Sequence, residues 1–355
     1  MQNRKITEYD LLSRLEPGSK LLAPLVVKKK ITLDSKDRAD ARVELAWGDE
    51  LETASFVIEV KSQSTPLVIQ SALTQARAMV IGNEQPMILV PYLSPERLIE
   101  LEKEKVSGVD LCGNGIVLVP GRLTVMRTGN PNLYPESRPL NNPYRGRSAM
   151  VARMLLTRQF WSSLKELLAA IQQAGTDLSL SQASKAVQAI EDDLIVIKNG
   201  GTIKLREPML LLDKLGAEWR KPLIRGRQAV RMPSGMDFAG ILSSNPRLKW
   251  AVTGESSVNQ YAMFSQGGPM RIAVSSLPLA STLLNGIPES VPNFADVELI
   301  ESEEAGFYFD NKVDGKNLRW ASKLQAWLEL QAGDARQQDA ARDIKTQILK
   351  DVRLL

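Results

Sequence analysis

Two carboxylates, Asp40 and Glu59, have the types and spacing that could support hydrolytic chemistry in this sequence. Asp40 directly precedes the apolar segment ARVELAW (41–47), and Glu59 lies within the apolar segment SFVIEV (55–60). The polar, turn-like sequence GDELETA joins the two segments. In an antiparallel hairpin centred between residues 49 and 50, facing residues have numbers that sum to 99, so Asp40 lies opposite Glu59. Opposed side chains have Cβ atoms about 5 Å apart, close enough for two carboxylates to share one divalent cation.

The alternation of side chains along these strands separates an apolar face from a polar face. The apolar face contains Ala41, Val43, Leu45, Trp47, Phe56, Ile58 and Val60. The polar face contains Asp40, Arg42, Glu44, Glu59 and Lys61. Lys61 could orient or deprotonate a water molecule, or stabilise charge on a scissile phosphate. The alternative is that Glu-x-Lys is only a solvated ion pair, which is common on exposed strand faces.

The composition restricts the chemistry that such a site can use. The 355 residues include no histidine, which excludes Ser-His-Asp and Cys-His catalysis and histidine-ligated zinc. Hydrolysis would therefore depend on carboxylates, lysine and an oxygen-ligated metal. A single cysteine, Cys112, and the lack of a signal-like or membrane-spanning segment predict a cytoplasmic protein with no membrane partner. The net charge of +4 is too small to indicate nucleic acid by itself.

Two basic segments rich in proline and glycine, 127–147 and 220–235, divide the chain. The predicted organisation is a domain at 1–127, a linker at 128–147, a domain at 148–219 and a domain at 220–355. In the first domain the patterns predict helices near 7–16, 66–81 and 94–106, and strands near 25–33, 40–47, 54–61, 86–91, 109–119 and 122–127. This mixture indicates an α/β layer architecture. The glycines of 108–123 fit no phosphate-loop motif and predict tight turns between edge strands.

Residues 148–206 predict three helices followed by a hairpin, the order of a winged helix-turn-helix. Asn199-Gly200 is expected to supply the positive φ angles of the hairpin turn. The predicted DNA-contacting residues are Gln182, Ser184, Lys185 and Gln188 on the third helix, and Lys198, Lys204 and Arg206 beside the hairpin tip. Basic residues on both sides of the module support a DNA partner: Arg138, Arg145, Arg147, Arg220, Lys221, Arg225, Arg227 and Arg231. The alternative is a winged helix used only for protein contact.

The last domain gives weaker patterns. Residues 252–263 predict a loop that enters a helix, and MRIAVSSL, DVELIES and GFYFDN predict strands. A helical tail from about 317 to 353 is expected to pack through a stripe of large apolar residues. The stripe consists of Trp320, Leu324, Trp327, Leu328 and Leu330. These patterns predict a C-terminal α/β domain with a helical tail.

Residues 20–125 resemble the PD-(D/E)XK nuclease superfamily. The resemblance is carried by Asp40 in RADARVEL, by Glu59-Val60-Lys61 and by the glutamine-bearing helix IQSALTQARAM. It implies a restriction-endonuclease-like mixed sheet with flanking helices, with Asp40 and Glu59 as ligands of Mg²⁺ or Mn²⁺ and Lys61 as the catalytic lysine. It further implies Gln75, less surely Gln70, as a polar group of the site, and Glu8 or Glu16 as a further ligand. Ala39 stands where the family often has proline.

Residues 150–345 resemble the regulator half of type IV abortive-infection toxin–antitoxin systems. This resemblance is carried by the order of the winged helix, REPMLLLDKLGAEWR, VTGESSVNQYAM and a helical tail. It implies a transcriptional regulator or antitoxin that binds double-stranded DNA, with a toxin or defence-complex protein as a partner. The nuclease-like first domain departs from the simplest members of that group.

The sequence therefore predicts a multidomain α/β protein with two candidate functions. One is a metal-dependent DNA endonuclease, a hydrolase directed by the winged helix in defence against phage or mobile elements. The other is a non-cleaving regulator or antitoxin that keeps the nuclease fold as a scaffold. A component of a larger complex that uses both modules for contacts is a third reading. The target sequence, the protein partner and self-association into a homo-oligomer are left open.

Overall fold

The computed structural model describes residues 6–31, 33, 37–48, 52–134, 142–232, 235–264, 267–284, 287–288 and 295–354. The chain is a mixed α/β protein that divides into two compact units. We call residues 1–139 the N-terminal unit and residues 140–355 the C-terminal unit. The boundary falls inside the segment whose composition predicts a linker.

The N-terminal unit contains one sheet and three helices among its described residues. Its strands are β1 (Lys20–Leu22), β2 (Leu25–Ile31), β3 (Ala41–Trp47), β4 (Glu52–Val60), β5 (Gln85–Val90), β6 (Ser107–Asp110), β7 (Gly115–Val119) and β8 (Leu123–Arg127). Its helices are α1 (Glu8–Leu12), α2 (Pro66–Ala78) and α3 (Pro95–Lys103). Thr65 and Ser94 cap α2 and α3, and each helix begins with a proline, as N-terminal helix signals require. The helices and strands expected in this unit are confirmed within a few residues, with two differences. The strand expected near 109–119 is two strands, β6 and β7, with a turn between them, and β1 was not expected.

The strands of this sheet lie side by side in the order in which they occur along the chain, from β1 to β8. Antiparallel pairing joins β1 through β4, parallel pairing joins β4 to β5 and β5 to β6, and antiparallel pairing returns through β8. The crossovers to the two parallel strands contain α2 and α3, because a parallel neighbour requires a long connection. The short turn between β6 and β7 confirms the expectation of a tight turn in the glycine-rich segment.

Two cores cover the opposite faces of the sheet. One contains α1, Val43, Phe56 and Ile58, and it confirms the apolar face predicted for the hairpin. The other packs the buried side of α2 and α3 against Ile88 and Val90 of β5. Alternate residues of a strand point to opposite faces, so Val57 and Glu59 belong to the face that α2 and α3 cover.

The C-terminal unit begins with three helices and a small sheet. Its first elements are α4 (Ala149–Leu155), β9 (Phe160–Trp161), α5 (Leu164–Gln173), α6 (Leu180–Asp192), β10 (Val196–Asn199), β11 (Thr202–Leu205) and α7 (Pro208–Glu218). The strands pair in the order β10-β11-β9. The hairpin prediction is confirmed, but its turn is shifted. Asn199 pairs with Thr202, so Gly200 and Gly201 have the positive φ angles that were expected for Asn199-Gly200.

The rest of the C-terminal unit contains a seven-stranded mixed sheet among the described residues, in the order β15-β12-β16-β14-β13-β18-β17. Its strands are β12 (Gly226–Arg231), β13 (Trp250–Val252), β14 (Met270–Val274), β15 (Ile287–Pro288), β16 (Val297–Glu301), β17 (Lys312–Val313) and β18 (Arg319–Trp320). Its helices are α8 (Phe238–Ser243), α9 (Glu255–Val258), α10 (Leu277–Leu284), α11 (Lys323–Leu330) and α12 (Ala335–Leu354).

Two expectations for this region need correction. GFYFDN is not a strand: Ala305–Phe307 forms a 3₁₀ turn, because Phe307, Tyr308 and Phe309 are all buried by packing that does not follow a two-residue period. The helical tail is two helices, α11 and α12, preceded by β18. The predicted apolar stripe is buried as expected.

One core joins α4, α5 and α6 to α7, α11 and α12. Residues on both sides of the predicted boundary at 219–220 therefore contribute to the same interior. Within the described part of the chain, no helix combines the length and the apolar character needed to cross a bilayer.

Candidate functional site

The register of the β3–β4 hairpin places Asp40 beside Glu59. Ala41 pairs with Ile58 and Arg42 with Val57, so the paired numbers sum to 99 as predicted. Asp40 directly precedes β3, and its Oδ2 accepts a hydrogen bond of 2.7 Å from the backbone N–H of Val60. Residues 49–51, where the turn centre was predicted, lie outside the described residues.

Glu59 and Lys61 form an ion pair on the covered face of the sheet. Glu59 is only 5% exposed, and the Lys61 Nζ lies 2.5 Å from its Oε1. The backbone N–H of Lys61 donates to the carbonyl of Leu89 on β5 at 3.0 Å, which fixes the chain where β4 ends. The pair is therefore not the solvated Glu-x-Lys pair of an exposed strand, because α2 and α3 cover this side of the sheet.

The surroundings of Glu59 disfavour its negative charge. Burial raises the pKa of the Glu59 carboxyl above its ordinary value, and the hydrogen bond from Lys61 opposes this shift only in part. The negative charge of Asp40 raises the same pKa further, and Glu8 adds a smaller contribution of the same sign. A carboxylate whose pKa is raised by burial and by a neighbouring carboxylate is stabilised in its ionised form by a nearby cation.

A buried arginine network holds the segment that leads into Asp40. Arg42 is 6% exposed, and its Nε donates to Asp37 Oδ2 at 2.7 Å. The same guanidinium donates to the carbonyl of Met79 at 2.9 Å and forms an ion pair with Glu84. Asp37 Oδ1 accepts the backbone N–H of Ala39 at 3.0 Å. Arg42 therefore links β3, the end of α2 and the residues just before Asp40.

The structure distinguishes between Glu8 and Glu16, the two residues that were considered as a further acidic ligand. Glu16 lies 2.7 Å from Lys30 Nζ in an ion pair, whereas the charge of Glu8 acts on Glu59. Glu8 is therefore the better candidate for a third acidic group. Gln70 and Gln75 are exposed on α2, and within the described residues neither side chain bonds to Asp40, Glu59 or Lys61. A role for Gln75 in lining the site stays a prediction.

Asp40 and Glu59 supply oxygen ligands of the kind that Mg²⁺ and Mn²⁺ prefer. In the parts of the chain that the structure describes, no group of three or more acidic or cysteine side chains is arranged to hold a metal. Two carboxylates still fit Mg²⁺, which is commonly held by one or two carboxylates together with water and substrate phosphate. The hypothesis of a metal at Asp40 and Glu59 therefore requires ligands from water or from a phosphate.

The predicted DNA-contacting residues share one property in the C-terminal unit. Gln182, Ser184, Lys185, Gln188, Lys198, Lys204 and Arg206 are all exposed. Ala183, Ala186, Val187 and Ile190 of α6 are buried instead, as its helical period predicts. Ser179 caps α6 together with Gln182, whose Oε1 accepts the backbone N–H of Ser179 at 3.0 Å.

Some side chains on the exposed surface of α6 and the β10–β11 hairpin are paired with one another, and others are unpaired among the described residues. Lys198 Nζ lies 2.8 Å from Glu191 Oε2 and donates to Gln188 Oε1. Gln188 also donates to Asp192 Oδ1 at 2.9 Å. Ser184 and Lys185 make no side-chain hydrogen bond or ion pair with any described residue. Ser184 and Lys185, near the middle of α6, can therefore bind a partner molecule without first breaking a contact with a described residue.

The flanking basic residues are also partly neutralised. Arg145 pairs with Glu218, Arg225 with Glu303, and Arg227 with Glu298. Arg147, Lys221 and Arg231 are exposed and form no ion pair with any described residue. Arg138 lies outside the described residues.

The Arg42 network was not predicted, although one signal pointed to it. A charged residue in the middle of a strand bounded by buried apolar residues needs partners, and Asp37 lies within reach in sequence. The strand β9, which completes the small sheet beside β11, was missed because Phe160–Trp161 is too short for a periodic pattern. No family model, curated protein or solved structure matches this chain. The two family resemblances therefore stay predictions.

Proposed function

We propose that the N-terminal unit is a metal-dependent DNA endonuclease and that residues 148–206 form a winged helix that directs it to duplex DNA. The observation that carries the proposal is the placement of Asp40 beside Glu59, with the Lys61 ammonium on Glu59. An antiparallel run of strands, a crossover helix and a parallel strand provide the mixed sheet that a restriction-endonuclease-like fold would need.

We call Asp40, Glu59 and Lys61 the trio, and each member has a role that follows from its position. Asp40 and Glu59 would hold Mg²⁺ or Mn²⁺, and the metal would polarise the phosphate and lower the pKa of a bound water. Lys61 would favour the ionised form of Glu59, because the hydrogen bond between them opposes part of the rise in pKa that burial causes. Lys61 is 25% exposed, so its ammonium can also reach a phosphate of the substrate and stabilise developing negative charge.

The winged-helix assignment is supported by the order of elements from α4 to β11. The three-stranded sheet β10-β11-β9 packs with three helices, and α6 exposes a polar face. A helix of this kind can lie in the major groove, where lysine contacts phosphate and serine or glutamine contacts base edges. Lys185 and Ser184 are the residues for which the supporting geometry is strongest, because their side chains have no hydrogen-bond or ion-pair partner among the described residues.

The experiment is a cleavage assay with the full chain on supercoiled and linear DNA, with Mg²⁺, Mn²⁺ or EDTA. We expect metal-dependent cutting that falls at least about 10²-fold in Asp40→Asn and in Lys61→Ala, the loss typical of removing one group that stabilises transition-state charge. Glu8→Gln should reduce cutting less.

Matched controls test whether the loss is specific to the trio. Glu16→Gln removes an acidic residue that pairs with Lys30, and Lys30→Ala removes the partner of that ion pair. Both should cut at the rate of the unaltered protein. Cutting that survives in Asp40→Asn and Lys61→Ala alike would show that these residues do not form the site.

A non-cleaving DNA-binding regulator is the second candidate. The observation that favours it is the ion pair between Lys61 and Glu59, since such a pair can stabilise the fold without a catalytic role. Binding of a specific duplex in EDTA, together with no cutting in either metal, would support this regulator and contradict the endonuclease. A toxin partner would then be sought by copurification with the regulator.

A further inference from the structure

The C-terminal unit contains a cavity of about 700 Å³, and four of the basic residues that flank the predicted winged helix lie at its wall. Its wall is formed by the segment leading into α4, the residues after α7, the 303–308 segment and α11. The volume lies in the range of sites that hold cofactors and other small organic molecules.

The cavity wall contains a buried cation with an unused donor. Arg153 of α4 is 6% exposed, and no acidic side chain among the described residues bonds to its guanidinium, although the negative charges of Glu329 and Glu304 act on it from a distance. Its Nη2 donates to Gln325 Oε1 at 2.8 Å and its Nη1 to the carbonyl of Gly306 at 3.3 Å. The Nε–H is buried and has no hydrogen-bond partner among the residues that the structure describes. A buried charge with an unsatisfied donor is costly, so an anion in the cavity would stabilise it.

The remaining charges of the wall favour an anion as well. Seven arginine and lysine side chains line the cavity, against four aspartate and glutamate side chains. Two of the acidic groups, Glu218 and Glu303, are paired with Arg145 and Arg225. Arg247 and Lys249 are exposed at the wall and form no side-chain ion pair with any described residue. The cavity therefore has a net positive charge and free cations at its surface.

Aromatic rings complete the wall. Tyr144, Trp219, Phe307 and Tyr308 line the same space. The hydroxyl of Tyr144 donates to Asp193, and that of Tyr308 donates to the carbonyl of Ser302. A ligand would therefore contact the rings of these tyrosines and not their hydroxyls. Rings beside free cations suit a molecule that joins a flat, apolar part to a phosphate group.

We propose that this cavity binds a phosphate-bearing small molecule of mononucleotide size, with Arg153 as the buried anchor and Arg247 and Lys249 as outer phosphate contacts. The site is independent of the trio in the N-terminal unit and of the exposed face of α6. Its failure would leave the endonuclease proposal untouched.

The test is isothermal titration calorimetry with the full chain in EDTA, which removes the divalent ions that a nucleotide would chelate. The probes are ADP, inorganic phosphate and adenosine. We expect ADP to bind and adenosine to bind at least tenfold more weakly, because only ADP contains phosphate. Inorganic phosphate that binds as tightly as ADP would contradict a ligand of mononucleotide size, because the adenosine part would then add nothing to the affinity.

Three variants locate the binding. Arg247→Ala combined with Lys249→Ala should weaken ADP at least tenfold, and these exposed residues can be replaced without disturbing the core. Arg153→Lys, which keeps the charge but removes the Nε–H, should weaken ADP while circular dichroism shows the fold retained. Lys316→Ala, an exposed lysine away from the wall, should bind ADP normally.

Two further results would overturn the proposal. One is the absence of binding by both ADP and inorganic phosphate at millimolar concentration. The other is ADP binding that the Arg247→Ala, Lys249→Ala pair leaves unchanged. If the same pair weakens duplex DNA but not ADP, these cations serve DNA and the proposed site is also contradicted.

Discussion

The trio of the N-terminal unit and the exposed face of α6 place polar side chains in opposite ways. Asp40, Glu59 and Lys61 lie on or beside a strand end, where the sheet register and the helices that cover it leave each side chain little freedom. On α6 the backbone is equally regular, but Lys185 faces solvent and Lys198 is bound to Glu191. Burial therefore decides the geometry of the first region, and competition among surface charges decides the second.

The largest expected effect tests whether the trio is a metal site at all. Mg²⁺ at 100 times its dissociation constant should stabilise the unaltered protein by about 2.7 kcal/mol, because only the folded chain brings Asp40 beside Glu59. Thermal unfolding with and without EDTA measures this effect. Asp40→Asn should lose the stabilisation, whereas Glu16→Gln should keep it. Equal Mg²⁺ responses in both variants would place the metal elsewhere.

The next effect compares a buried polar network with a surface ion pair. Arg42→Met should lower the free energy of unfolding by about 2 kcal/mol, since it leaves Asp37 and Glu84 without their shared cation. Lys198→Ala should cost less than about 1 kcal/mol, because its ion pair is exposed. Urea unfolding of the two variants measures both values. A similar cost for both would remove the distinction drawn between the two regions.

The third effect concerns lysines that are paired or unpaired among the described residues of the proposed DNA-binding surface. Lys185→Ala should weaken duplex binding and reduce the slope of log affinity against log salt by about one, as loss of one phosphate contact does. Lys198→Ala should reduce the slope less, because Glu191 already neutralises that lysine. Glu191→Gln frees Lys198 and should strengthen binding. Fluorescence anisotropy at several salt concentrations gives all three slopes, and an unchanged slope for Lys185→Ala would move the interface elsewhere.

The smallest effect is a pH dependence of stability that arises from Glu59. Its folded pKa is raised, so the protonated carboxyl is favoured in the folded state. Its contribution to stability is present below the unfolded pKa and is lost as the pH rises through the folded pKa. Glu59→Gln should not show this loss. Urea unfolding in EDTA from about pH 4 to about pH 8 compares the two proteins. A constant difference between them would mean that the Glu59 charge is not disfavoured.

The hairpin could be predicted because its apolar residues alternate without interruption, and a shift of one residue would expose them all. That constraint was sufficient to pair Asp40 with Glu59 correctly. The burial of Glu59 could not be predicted in the same way, because it depends on where α2 and α3 pack. Glu84, a partner of Arg42, is likewise supplied by the connection between α2 and β5, and no local pattern indicates it.

The surface residues show the opposite limit. The helical period of α6 predicted which side chains are exposed, and this prediction is confirmed. Which of these side chains form ion pairs depends on how the β10–β11 hairpin packs, because that packing brings Lys198 to Glu191. GFYFDN was wrongly predicted as a strand because its aromatic residues resemble a buried strand, and only tertiary packing distinguishes that case from a 3₁₀ turn.

The N-terminal sheet has a further consequence because its eight described strands lie in chain order. Each strand pairs with the one made just before it, so few contacts wait for a distant part of the chain. Pairing between consecutive strands shortens the loop that each contact must close, and domains commonly fold in sequence from the N-terminus during synthesis. The sheet can therefore be complete, with Asp40 and Glu59 already side by side, while the ribosome is still adding the C-terminal unit.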